Sequence, residues 1–222
     1  MSNKTKIDLE SLVKLGILCG FILLLVANFA MATEEPKYSV LEKSGDFELR
    51  EYAPMVVAET IVDGDLDDAS SAGFKRIADY IFGNNTARAG GNEKISMTAP
   101  VTMAPKSEKI SMTAPVGMQP KAGLDNTNQW RMYFVMPSKY TLDTLPSPNN
   151  PAVTLRAIPA SRFAVLRFSG LTGEEKTANK TAELLAWLKT KQITPISEPE
   201  LARYNPPWTL PFLRRNEVMV AY

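Results

Sequence analysis

The 222-residue chain is 45% hydrophobic and 22% charged, an ordinary globular composition with material for a substantial core. Its 25 Lys and Arg balance 24 Asp and Glu, so net charge gives no drive toward nucleic acid. There is no histidine and one cysteine, Cys19, which excludes histidine-held metals, Ser-His-Asp and Cys-His nucleophiles, an internal disulfide and a CxxC redox pair.

Lys4, Lys6 and Lys14 lead into the apolar run "LGILCGFILLLVANFA", which closes on Ala30-Met31-Ala32. A basic start, an apolar core and an A-x-A site describe a secretory signal peptide over residues 1–32. The stretch from Leu12 to Ala32 is also nearly long enough to span a bilayer, at about 20 residues, so an uncleaved signal anchor stays open. Bulky Leu18 before Cys19 argues against a lipoprotein site. Either way the body, residues 33–222, is expected to be exported as one domain, periplasmic or anchored to the inner membrane by residues 12–32.

The body opens with a hairpin pattern, "YSVLEKSGDFELREY", around Ser44-Gly45-Asp46, and "PMVVAETIV" follows as a strand rich in β-branched residues. The period then changes. Leu66, Ala69, Gly73, Phe74, Ile77 and Ile81 recur at three and four residues, which predicts a helix with Asp67, Asp68 or Ser70 as N-cap and a stop at Gly83-Asn84.

Next, "EKISMTAPV" occurs twice, from Glu93 and again from Glu108, fifteen residues apart. In each copy Ile, Met, Ala and Val alternate with Lys, Ser, Thr and Pro, the period of a strand with one buried face. Pro100 and Pro115 lack an amide proton and place such strands at an edge or break them. Two copies are too few for a solenoid, so the repeat reads as a local duplication.

"WRMYFVMP" is a dense aromatic strand, and "AVTLRAIPASRFAVLRFSG" gives two strands around Pro159-Ala160-Ser161. A second helix is expected from Glu174 to Gln192 with Ala178, Ala182, Leu185 and Leu188 as its inner stripe. A Pro- and aromatic-rich loop and a terminal strand, Glu217–Tyr222, end the chain. Two halves of similar plan, each with one helix, predict an α+β domain of antiparallel sheet with two helices packed on it.

"KISMTAPV", "WRMYFVMPSKYTLDTLPSPNNP", "RFAVLRFSG" and "YNPPWTLPFLRRNEVMVAY", in that order, resemble the SOUL haem-binding protein family over residues 36–222. The resemblance implies a twisted antiparallel β-barrel-like sheet with two helices in two pseudo-repeated halves, similar to effector-binding domains. It implies tetrapyrrole binding, chiefly haem, at a shallow apolar site between the first helix and the loop before the last strand. Carried onto this chain, those walls are Phe74, Arg76, Ile77, Tyr80 and Ile81, with Trp208 and Phe212 opposite and Lys75 and Arg76 as partners for the propionates.

Each of these residues has a plainer role available. Phe74, Ile77 and Ile81 suit a packed helix face, Trp208 a structural plug, Lys75 and Arg76 a solvated surface. Members proposed to ligate iron through histidine find no counterpart here, so iron would take Met, Tyr or Lys, or no protein ligand. Two other classes stay open: a small-molecule hydrolase on a related fold, and an envelope protein-interaction module using the repeat as a docking edge. For the hydrolase, Glu48, Glu51, Glu59 and Glu217 lie on expected strands and are expected to face solvent, and no spacing singles out a catalytic pair.

Overall fold

A computed structural model describes residues 33–105 and 129–222. The N-terminal apolar run and the second repeat copy lie outside them.

In chain order the elements are β1 Tyr38–Ser44, β2 Phe47–Tyr52, β3 Met55–Asp63, α1 Leu66–Ile81, β4 Asn85–Thr86, β5 Val101–Pro105 and β6 Gln129–Val135. Then come β7 Ser147–Pro148, β8 Thr154–Ile158, β9 Ser161–Phe168, α2 Glu174–Thr190, β10 Glu200–Arg203, a 3₁₀ turn Pro211–Leu213 and β11 Asn216–Ala221. Nine strands form one antiparallel sheet in the order β1-β2-β9-β11-β10-β5-β6-β3-β8, and β4 pairs with β7 apart from it.

The order is symmetric about the β10–β5 junction. In one half β3, α1, β5 and β6 give the sheet order β3-β6-β5, and in the other β9, α2, β10 and β11 give β9-β11-β10. Their leading strands are exchanged: β2 pairs with β9 and β8 pairs with β3.

That exchange forces the sheet to curl. β2 and β3 stand six places apart in the sheet order, about 29 Å if the sheet were flat at its usual strand spacing. Only Ala53 and Pro54 join them, a reach of about 11 Å at full extension. Pro159 and Ala160 impose the same demand between β8 and β9. The result is a half-barrel.

Side-chain alternation sorts the two faces. Along one register row Met103, Leu201 and Val218 line up, and this face carries both helices. α1 lays Leu66, Ala69, Ile77, Tyr80 and Ile81 on Ala58, Val62, Met132 and Phe134. α2 lays Leu184 and Leu188 on Leu49, Ala164, Leu166, Val218 and Val220. The opposite face, carrying Glu217, Ala202, Thr102 and Tyr133 along its row, lines the inside of the curl.

Three expectations are corrected. Asp65, not a residue inside the helix, caps α1 by accepting from the amides of Asp67 (3.0 Å) and Asp68 (2.8 Å). The inner stripe of α2 runs through Leu184 and Leu188, with Ala178, Ala182 and Leu185 exposed. Its Lys- and Thr-rich first turns carry too little apolar pattern to fix the phase. Lastly, most of the first repeat copy is not a strand: β5 begins only at Val101 and is central, flanked by β10 and β6. Thr98 makes an isolated parallel bridge with Glu34, Ala99 N donates to the Glu34 carbonyl, and Ile95 N donates to Ile81 O at the end of α1, so these residues stay out of the main ladder.

α1 touches the sheet closely at Gly73, where an added Cβ would lie 2.8 Å from Met132 Sδ and 3.2 Å from its Cβ. Gly73→Ala is therefore expected to lower stability by about 1–3 kcal/mol despite the better helix propensity of alanine, measured by urea unfolding.

Candidate functional site

The inside of the curl is polar at its centre. Glu217, fully buried, receives Arg50 through Nη1–Oε2 (2.8 Å) and Nη2–Oε1 (3.0 Å). It also accepts from Tyr204 Oη (2.7 Å) and Arg215 Nε (2.9 Å). Arg50 donates from Nε to Glu48 (2.7 Å) and lies 4.3 Å from the ring centre of Tyr38. Nearby, Glu200 accepts from Tyr133 Oη (2.6 Å) and Arg131 Nη2 (2.9 Å). The expectation that Glu48 and Glu217 face solvent is thus corrected, because the curl turns their side of β2 and β11 inward.

Glu217 and Glu200 titrate in opposite directions. Burial pushes Glu217 up, but the hydrogen bonds and charges of Arg50 and Arg215 outweigh it, and its pKa falls below the ordinary carboxylate value. At Glu200 burial wins over Tyr133 and Arg131, and the pKa is raised.

Beside this network Tyr52, Met55, Tyr133, Phe163, Tyr204 and Met219 line an apolar cavity of about 20 Å³, room for one water. Pro36 also lines it, on an N-terminal segment held down at both glutamates. The Glu34 carbonyl accepts from Ala99 N (2.9 Å), its carboxylate from Ser138 N (2.9 Å), and Glu35 pairs with Arg215 (2.9 Å). A tetrapyrrole does not fit inside.

The expected wall residues divide by depth. Ile77, Tyr80 and Ile81 belong to the core under α1, with Tyr80 Oη donating to the Pro146 carbonyl (2.9 Å), and a ligand on the outer surface cannot touch them. Arg76 donates to the Ile61 carbonyl (2.8 Å) at the end of β3. Phe74, 38% exposed, rests on Phe134 with ring centres 5.5 Å apart, and Lys75 is exposed beside it.

Trp208 and Phe212 stand out at 83% and 71% exposure. The loop that carries them is braced from within: Arg214 Nε donates to Thr209 O (2.8 Å) and its Nη2 to Pro207 O, on either side of Trp208. Gly170 N donates to Pro211 O (2.9 Å), tying the loop to the turn before α2. Arg203, at the loop's start, donates to Ser70 Oγ of α1 (2.7 Å) and to Thr172 O (3.2 Å). The helix and the loop therefore share one end of the domain. Leu171, Leu210 and Leu213 are exposed there too and were not singled out by sequence, although alternate apolar residues between prolines in "PPWTLPFL" were the available signal.

A half-barrel of two strand-exchanged halves with helices on its outer face defines an effector-binding-like α+β domain. The sequence model of the SOUL heme-binding protein family matches residues 33–108 and 104–221, and the chain belongs to that family. Its two matched segments overlap at 104–108, from the linker after the first repeat copy to Glu108, the first residue of the second. No curated protein matches the chain in sequence.

Among solved structures the chain is similar to the EcmrR C-terminal domain, at 11% identity and a TM-score of 0.55, covering 83% of this chain and 96% of that one. It is similar to an uncharacterized conserved protein from Listeria innocua, at 12% identity and a TM-score of 0.50, covering 87% and 95%. A hydrolase from Listeria innocua matches at 11% identity and a TM-score of 0.47, covering 89% and 96%. Likeness at such identities shows the fold alone.

Removing one partner from the Glu217 cluster strands buried charge. Glu217→Gln is expected to cost about 3–5 kcal/mol at neutral pH in denaturant unfolding. Because its pKa is depressed, the stabilisation from Glu217 is complete above the ordinary carboxylate range and lost as pH falls through its own lower value, so this variant should show a shallower acid loss than the parent. Glu200, with its pKa raised, opposes folding above that pKa and less so on acidification, so Glu200→Gln is expected to cost far less.

Proposed function

We propose that this protein binds a tetrapyrrole, haem foremost, on the open apolar surface where α1 meets the loop before β11, with no histidine ligand. Family membership supports the ligand class. One structural observation carries the location: Trp208 and Phe212 are held exposed by an internally braced loop, while the apolar cavity inside the curl holds about one water.

A tetrapyrrole is a flat apolar plate with two propionates, and haem adds an iron centre to it. Trp208, Phe212 and Phe74 would supply faces for the plate. Exposed Lys75 would meet a propionate, whereas Arg76 already spends a donor on Ile61. Ile77, Tyr80 and Ile81 would act from beneath, keeping α1 seated. Shape and charge then set specificity, and the metal matters little.

Binding fits the described acids singled out by sequence on the inner face better than hydrolysis does, since Glu48 and Glu217 are locked in ion pairs. Residues 1–32 support a place in the cell envelope, either free after cleavage or anchored.

Titration with hemin and with iron-free protoporphyrin is expected to give similar affinities, each weakened about tenfold or more by Trp208→Ala with Phe212→Ala. Absence of tetrapyrrole binding would overturn the proposal. So would a low-spin hemin spectrum, absent with the iron-free ring, that one Met or Tyr substitution abolishes.

A further inference from the structure

The loop before β11 presents exposed apolar side chains beyond the two aromatics proposed to face the tetrapyrrole. Trp208, Leu210, Phe212 and Leu213 are all more than half exposed, and Leu171 joins them from the turn whose Gly170 is bonded to Pro211. Exposed apolar clusters of this density mark a contact surface. Proline at 206, 207 and 211, together with the Arg214 bonds to Thr209 and Pro207, presets the loop, so little entropy is lost when it engages.

The route of the chain says what it engages. Arg215, two residues beyond Leu213, clasps Glu35. The apolar run of the sequence ends at Ala32, three residues earlier, a separation of at most about 11 Å along the chain. A bilayer that holds residues 12–32 would therefore be joined by only three residues to the segment that Arg215 clasps at the end of the loop. An aromatic-leucine tip set on a polar domain is the composition that settles at a membrane–water interface.

We infer that the loop from Pro206 to Leu213, with Leu171, docks onto the lipid bilayer, a second membrane contact besides the N-terminal segment. It rests on the proposed envelope location and shares Trp208 and Phe212 with the proposed tetrapyrrole surface. A lipophilic ring would then pass between the bilayer and the protein without crossing open water. The nearby charges are mixed, with Asp67 and Glu174 at the helix starts against Lys176 and Arg214, so apolar insertion carries the contact and anionic lipid adds little.

Residues 34–222 form a compact unit that holds every described element of the sheet and both helices, so a fragment of residues 33–222 isolates the loop from the N-terminal run. Flotation with vesicles of phosphatidylethanolamine and phosphatidylglycerol, and separately with phosphatidylcholine, is expected to carry the fragment in both cases and to persist in high salt. Brominated phospholipid should quench a signal that disappears in Trp208→Phe while flotation continues. Leu210→Ser with Leu213→Ser, which spares the tetrapyrrole-facing aromatics, should lower partitioning about tenfold or more with hemin affinity in detergent-free buffer unchanged. A fragment that stays in solution, or one that floats equally well with both leucines replaced, overturns the docking. Failure of flotation with intact hemin binding sinks only the bilayer contact, and flotation without hemin binding sinks only the tetrapyrrole proposal.

Discussion

Two connections of two residues each, Ala53-Pro54 and Pro159-Ala160, govern the architecture. Each must bridge strands that stand six places apart in the sheet order, and no flat sheet permits it. Once the curl is imposed, one face becomes a closed interior and the other a convex seat for two helices. Proline suits both junctions: its fixed φ shortens the list of conformations that must be given up, and its missing amide proton is no loss between strands that do not pair with each other.

Closing the interior creates an electrostatic problem, because β2, β10 and β11 turn acidic side chains into it. Glu217 resolves it with two arginines and a tyrosine, and its neighbours Arg50 and Arg215 are each backed by an aromatic ring. These contacts tie the exchanged strand β2 to the half it joins: Arg50 comes from β2, Glu217 from β11, and Glu35 from the segment ahead of β1. Glu200 is less well compensated: Arg131 and Tyr133 do not offset its burial, and its pKa is raised. Such an arrangement favours one register over its alternatives even where its net contribution to stability is modest.

The helices, the hairpin and the paired halves were legible in the sequence, since the shift from a period of two to a period near four leaves a local trace. The exchange of β2 and β8 was not. It is a fact about distant pairing, and nothing near Tyr52 or Ile158 encodes which strand each will meet. The same blindness explains Glu48 and Glu217, whose alternation was read correctly but whose side of the sheet was assigned to solvent. For the site, the aromatic loop could be picked out by its prolines, whereas Ile77, Tyr80 and Ile81 share a stripe with Phe74 that only the structure could divide into buried and exposed members. The repeat misled because alternation in "KISMTAPV" matches a strand, yet Ile95 bonds to Ile81 at the end of α1, Thr98 and Ala99 meet Glu34, and the strand begins only at Val101.

The pairing of β5 with β6 has a consequence for how a chain of this fold can change length. Pro105 and Trp130 face each other across the ladder, so whatever lies between them departs from and returns to neighbouring points of the framework. Lengthening such an excursion costs little, about 0.6 kcal/mol for each doubling. A gene can therefore copy a stretch there without disturbing either pseudo-symmetric half, which makes this junction a natural port where evolution, or a protein engineer, can splice in new material.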